Sequence, residues 1–225
     1  MSETRKSPDY FRATPEPATR VAKSDRTRAA ILDAALEFIW SRPFRDMTVN
    51  SLMASTDLSR AAFYQYFEGT HQLMETLLDM LAEEIFASVS PWLEGLGDPV
   101  ALTTETLGGL IQTCYRRGPF LKAISDAATS DKRFETAWAQ FLGAFDEAGC
   151  ARIEADQAQG LIRDFDARPI IIALNRLNAY SIIGAFGQRP RRRPEPVREA
   201  LARIWISTLY GAEWVEQGSS TLERR

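Results

Sequence analysis

Residues 48–67 read TVNSLMASTDLSRAAFYQYF, and no other stretch narrows the fold as much. Thr48 is a good N-cap for a short helix with Val49, Leu52 and Met53 as its buried face. The segment STDL breaks that helix, and Ser59 is a second N-cap opening SRAAFYQYF. Phe63 and Phe67 stand four apart, as neighbours on one helix face do, and with Leu58 they make the inner side. Arg60, Ala61, Tyr64 and Gln65 then share the opposite face. Two short helices joined by a tight turn, the second opened by an N-cap, form a helix-turn-helix. That arrangement presents the second helix to the major groove of DNA. Arg60 has the fork to bond guanine twice, Ala61 allows close approach, and Tyr64 can donate to phosphate. Tyr66 lies at the edge, placed to touch the DNA backbone.

The rest of the chain reads as helices as well. From about Ser24, Ile31, Ala34, Ala35, Phe38 and Ile39 recur at three- and four-residue intervals, and Pro43 ends that helix. After the EGTHQ corner, a long amphipathic helix runs through Leu73, Leu77 and Ile85 to about Pro91. LEGLGDP separates it from a helix over 101–117, and RRGP separates that from one over 120–129. Residues 131–159 are periodic up to Gly160, residues 166–187 are strongly apolar, QRPRRRPEP is a loop, and residues 196–216 form the last helix. No stretch alternates as a half-buried strand would, so the fold class is all-α with about nine helices. The division expected is a disordered tail over 1–22, where Pro8, Pro15 and Pro17 sit among polar residues, a helix-turn-helix domain over 23–67, and a helical domain over 68–225.

Composition bounds the function. The chain has 225 residues, 45% hydrophobic and 25% charged, enough for a core without disulfides or metals. Cys114 and Cys150 lack metal-ligand spacing and read as reduced and structural. A single histidine, His71, excludes any zinc site that needs two imidazoles, so no metal is expected. The N-terminus has no secretory pattern and no apolar run reaches membrane length, which predicts a soluble, cytoplasmic protein with no membrane partner. Net charge is −3, but residues 1–67 hold ten Lys and Arg against eight acids, while the remainder is acidic. A mildly basic front on an acidic body suits local contact with DNA. There is no nucleophile elbow or phosphate loop, and GLGDPV lacks the third glycine and preceding strand of a dinucleotide fingerprint. No catalytic residue or cofactor is therefore assigned.

The helix-turn-helix segment, followed by LMETLLDM, also resembles the DNA-binding region of the TetR family of transcriptional repressors. Thr48, Val49, Leu52, Leu58, Ser59, Phe63, Tyr64, Tyr66, Phe67 and Leu73 carry the likeness. SRPFRDMTV, LNRLNAYSIIGAFG and IWISTLYG are similar to the subgroup that includes the mycobacterial ethionamide-resistance repressor. The sequence departs from the pattern at the turn glycine (Asp57), a small alanine (Met53) and a lysine after the final Phe (Thr70). Asp57 is then expected to take a left-handed backbone, and protonated His71 to supply the missing charge. The resemblance implies that residues from 68 onward bind an effector and that the last two helices dimerise as a four-helix bundle. Their apolar residues, Ile170, Ile171, Leu174, Leu177, Ile182, Ile183 and Phe186 among them, exceed what one helix face buries in a monomer.

Several residues carry two readings. Trp92, Tyr115, Phe120, Trp138, Phe141, Phe145, Tyr180 and Trp205 either line a ligand pocket or fill core. Asn175 and Asn178 are either polar anchors of that pocket or interhelical hydrogen-bonding groups; in the resembling subgroup, asparagines at similar places line an apolar ligand tunnel. Lys23, Arg26 and Arg28 are either an arm reaching phosphate or the minor groove, or solubility charge. Arg189–Pro194 reads as a solvated loop remote from the reading head, against a second DNA contact or a targeting signal. The DNA-facing set is Lys23, Arg26, Arg28, Thr48, Ser59, Arg60, Ala61, Ala62, Tyr64, Gln65, Tyr66, Thr70 and His71. The expected protein is a homodimeric regulator of double-stranded operator DNA, a repressor released by a small apolar effector. The alternative is a helical ligand-binding or adaptor protein that has lost DNA binding.

Overall fold

The computed structural model describes residues 17–211, with side chains from residue 24 onward. Every described element is helical: α1 (Pro17–Ser41), a 3-10 turn (Phe44–Asp46), α2 (Val49–Met53), α3 (Arg60–Tyr64), α4 (Thr70–Glu94), α5 (Pro99–Ala127), α6 (Lys132–Ala158), α7 (Ala167–Phe186) and α8 (Pro194–Leu209). Side-chain caps fix most starts. At the heads of α5, α6 and α7, Asp98 accepts from Val100 N and Ala101 N, Asp131 from Arg133 N and Asp166 from Arg168 N. Gly160 stops α6 at φ +74, where Gly160 N bonds Gln157 O and Leu161 N bonds Asp156 O. That doubled closure requires a left-handed residue, for which glycine carries no penalty.

α5 is the central helix, packed against α1, α4, α6, α7 and α8. Its burial on several faces includes Leu107, Ile111, Cys114, Phe120 and Ile124. The α1–α3 unit buries Ile31, Leu32, Ala35, Phe38, Leu52, Met53, Phe63 and Phe67, and this cluster runs without a break into the larger core.

The structure corrects several expectations. The assigned tail of 1–22 ends inside a helix, because α1 already begins at Pro17, where proline suits a first turn that has no intrahelical acceptor to bond. RRGP does not divide two helices; α5 runs through it, so eight α-helices are described rather than about nine. Pro119 has no N–H to bond the Tyr115 carbonyl one turn back, and Arg191 Nη1 donates to that oxygen instead, at 2.5 Å. α4 likewise passes Pro91 and ends at Glu94, with Trp92 N donating to Thr106 Oγ1 at 3.0 Å. The last helix starts at Pro194 and ends at Leu209; residues 212–216 lie outside the described residues.

Contrary to the reading that no run reaches membrane length, α7 is long and apolar enough to cross one by length and composition, with mean hydropathy 1.3. Three of its polar side chains, Asn175, Arg176 and Asn178, are engaged by neighbouring helices. Asp146, buried on α6, accepts from Asn175 Nδ2 (2.9 Å) and from both terminal nitrogens of Arg176 (3.2 and 2.8 Å). Asn178 accepts from Trp205 of α8.

At the crossing of α5 and α7, a Cβ on Gly118 would stand 2.4 Å from the Phe186 carbonyl oxygen. Gly118→Ala would gain helix propensity of roughly 1 kcal/mol, but backbone cannot yield as a side chain end can. The variant should be less stable than the parent, by about 1–3 kcal/mol in urea unfolding. Equal or greater stability would mean that α7 is free to shift.

Candidate DNA interface and internal cavity

The helix-turn-helix is held by short-range polar bonds. Thr48 Oγ1 accepts from Ser51 N at 3.0 Å, and Ser51 Oγ accepts from Thr48 N at 2.9 Å, a reciprocal cap on α2. Ser59 Oγ accepts from Ala62 N at 3.1 Å and opens α3. The turn between them needs no left-handed residue: among the described residues no non-glycine has positive φ, so Asp57 takes an ordinary backbone. Hydroxyls close the turn instead. Ser55 Oγ donates to Leu52 O, Thr56 Oγ1 donates to Met53 O, and Leu58 N donates to Thr56 Oγ1.

α3 is sharply two-sided. Phe63 and Phe67 are buried, while Ser59, Arg60, Ala61, Tyr64 and Gln65 are exposed. Tyr64 is 52% exposed, with its ring edge-on to Phe63 at 5.5 Å, so one side is supported and the hydroxyl end is open. Thr48 is exposed at the head of α2; Ala62 and Thr70 are half-buried.

Other members of the expected DNA set are placed differently. Tyr66 is half-buried and its hydroxyl donates to Ser24 Oγ of α1 at 3.3 Å, an internal use. Lys23, Arg26 and Arg28 lie within α1, so they do not form an extended arm ahead of it. Arg28 stands over the Phe67 ring at 5.7 Å and Arg26 is exposed; the Lys23 side chain lies outside the described residues. His71 is half-buried, its Nε2 2.7 Å from Asp131 Oδ2, and its ring stacks on Phe134 at 5.0 Å. The hydrogen bond from His71, helped by Arg133 N–H, holds the Asp131 carboxyl below its usual pKa. His71 thus joins the head of α4 to the head of α6, and the imidazole is not an open phosphate ligand.

A cavity of ≈ 90 Å³ lies between α4, α5, α6, α7 and α8. Seven of the ten residues expected at a pocket line it: Trp92, Trp138, Phe141, Phe145, Asn175, Asn178 and Trp205. Three do not. Tyr115 packs edge-on against Phe186 at 5.2 Å, Phe120 is buried toward α1, and Tyr180 is 67% exposed on the outside of α7. Aliphatic lining such as Val89, Leu107, Leu110 and Ile182 was invisible in the sequence because it has the pattern of ordinary core. The threonines at 103 and 106, polar residues on an apolar helix, were the signal available.

The two asparagines differ in what they offer. Asn175 donates to buried Asp146, the interhelical use. Asn178 has its oxygen taken by Trp205 Nε1 at 3.0 Å, so its NH2 is the end it offers to the cavity. Cys114, in the wall, has its thiol pKa pushed up to about 12 by burial, so it is a neutral surface rather than a nucleophile. The volume equals roughly three waters and falls short of the about 300 Å³ at which drug-sized pockets begin. Anything larger than a few heavy atoms must part the walls.

Two family descriptions match the chain. "Bacterial regulatory proteins, tetR family" covers residues 31–77, and "Transcriptional regulator EthR, C-terminal domain" covers residues 103–211. The HTH-type transcriptional regulator EthR of Mycobacterium tuberculosis is 27% identical over 194 residues, spanning 83% of this chain and 88% of that protein. Its counterpart in Mycolicibacterium smegmatis is 24% identical over 190 residues, with the same coverage. A TetR-family regulator from Syntrophomonas wolfei has a similar structure, with TM-score 0.71 at 17% identity over 82% of this chain and 95% of that one; this likeness speaks for the fold. With its capped helix-turn-helix matched by one description and its helical remainder by the other, the chain belongs to the TetR family of helix-turn-helix transcriptional regulators.

Proposed function

We propose that this chain is a homodimeric, cytoplasmic repressor rather than an enzyme, binding a (pseudo)palindromic operator and released by a small apolar effector. Residues 23–67 are then the reading head, and residues 68–225 bind effector and partner. The observation that carries DNA readout is the two-sided α3, whose aromatic inner face is sealed while Arg60, Ala61, Tyr64 and Gln65 stand in solvent. An exposed tyrosine beside an arginine at a helix head suits a groove lined by phosphates and base edges. The outer faces of α7 and α8, with Tyr180 67% and Ile204 38% exposed, support a partner surface there.

The cavity supports the effector. Its apolar walls take hydrocarbon or aromatic groups, and the free NH2 of Asn178 asks for an acceptor such as a ketone, ester or amide oxygen. Asn175, committed to Asp146, holds α6 to α7 and is not assigned to ligand. Occupancy favours whichever arrangement leaves room for the ligand. Release follows if that arrangement spaces the two reading heads wrongly for adjacent major grooves.

Four variants test this reading. Arg60→Ala should lose on the order of 1–3 kcal/mol on an operator selected from a randomised library and relax preference at one position per half-site. Unchanged preference would remove Arg60 from base readout, and a wild type that selects no sequence would leave the reading of a helical protein without DNA binding. Tyr180→Glu should sediment as a monomer; a persistent dimer would place the interface elsewhere. Asn178→Leu should weaken calorimetric binding of a ketone or ester far more than that of a hydrocarbon of equal size. Leu110→Trp should fill the cavity and abolish both while operator binding survives.

A further inference from the structure

The loop between α7 and α8 is not remote from the reading head. Arg189 and Arg191 stand over the indole of Trp40, in the last turn of α1, with Cζ 4.5 and 5.0 Å from the ring centroid. Arg191 is fixed from its other side. Its Cζ lies 4.0 Å from the Tyr115 ring, and its Nη1 donates to the carbonyl that Pro119 leaves without a helical donor. The loop is pinned again where Arg192 N donates to Ala185 O at 2.9 Å. α7 ends there against α5, with Phe186 edge-on to Tyr115 and its backbone over Gly118. Further along α1, a small cavity of ≈ 90 Å³ is lined by Ala29, Leu32 and Leu36 of α1 and by Leu77, Leu81 and Phe120 across the seam.

We propose that Trp40, clasped by Arg189 and Arg191, is a positioning residue that fixes the angle of the α1–α3 reading head relative to α7 and α8. The inference rests on the reading of the chain as a dimeric DNA binder through α3 and α7–α8. Planar guanidinium on an indole face is directional and tolerates partial exposure, so it sets orientation while adding little to the stability of either unit. The position matters because α7 is at once a wall of the cavity, through Ile182 and Ile183, and the helix that ends in the clasp. A shift of α7 therefore reaches α1 at Trp40 through Arg191, at a point separate from the joint of His71 with Asp131.

The test compares two duplexes cut from the operator that wild type selects from a randomised library, one with both half-sites and one with a single half-site. Trp40→Leu should lose about tenfold on the two-site duplex, change little on the half-site, and tolerate half-sites spaced one base pair wider. Trp40→Phe should restore most of the loss, since a ring face returns. Arg189→Gln, which leaves the bond of Arg191 to Tyr115 intact, should lose part of it. Equal loss on both duplexes, or none, overturns the proposal. A second readout needs no DNA: nitroxides at Ala61→Cys and Ala139→Cys, with labelled subunits diluted in unlabelled ones. Their distance distribution should be narrow in wild type and Trp40→Phe and broad in Trp40→Leu. Identical distributions overturn the clasp, whereas a broadened one in a protein that selects no operator refutes the repressor reading and leaves the clasp standing.

Discussion

The crossing of α5 by α7 is the constraint on which the other contacts hang. Gly118 removes the side chain that would hold the two backbones apart, and Phe186 fills the approach. Pro119, next along, leaves one carbonyl without its helical donor in a crowded place, where an unpaired polar group is expensive. The bond from Arg191 answers that cost and at the same time fixes where the loop after α7 must run. So a helix that two breakers would end on propensity alone is continuous, because tertiary packing and a borrowed donor replace what the local sequence lacks.

That substitution explains which parts of the fold were legible. Caps are local, so Thr48, Ser59, Asp131 and Asp166 mark their helix starts from a few residues of sequence. The two-sided α3 is equally local, because the four-residue spacing of Phe63 and Phe67 fixes what faces outward. Pro119 misled because its missing hydrogen bond is made up by Arg191, far along the chain, and Pro91 because Ser90 Oγ donates to the Ala87 carbonyl in its place while Trp92 N bonds Thr106 Oγ1. Asp57 misled for a smaller reason: the hydroxyls of Ser55 and Thr56 close the turn without positive φ, so the usual glycine is not needed. Lys23, Arg26 and Arg28 are not an extended arm because residues 17–23 continue the helix ahead of Ser24, which makes Arg26 and Arg28 helix-face residues.

Polar residues in the C-terminal bundle divide by partner, and that division was hidden from sequence. Asn175 and Asn178 are the same residue type one turn apart, yet a buried carboxylate takes one and an indole takes the other. Asp146 is nearly inaccessible and meets Arg176 and Asn175, so α6 and α7 are locked in register by a pair that would be costly if either member were lost. Asp156, near the C-terminal end of α6, is ion-paired within the helix to Arg152 at 3.0 Å and touched by the Tyr210 hydroxyl, which in turn accepts from Trp92 Nε1. Two buried carboxylates thus tie the middle and the C-terminal end of α6 to their surroundings, and the aromatic wall of Trp138, Phe141 and Phe145 lies on the N-terminal half of the helix, ahead of Asp146.

The small cavity lies beside the Asp146 lock. A wall of aromatic rings next to a fixed ion pair closes to ≈ 90 Å³ when its side chains pack, and what yields to a larger guest is the packing between rings rather than the ion pair. Aromatic contacts each contribute little beyond their buried area, so rings can part at modest cost while buried charges cannot. Expansion is therefore steered toward α7, whose cavity face is aliphatic at Ile182 and Ile183 beyond the Asp146 lock. The end of α7 furthest from that lock is the end that carries the clasp on Trp40, which is where a displacement of the helix would be largest.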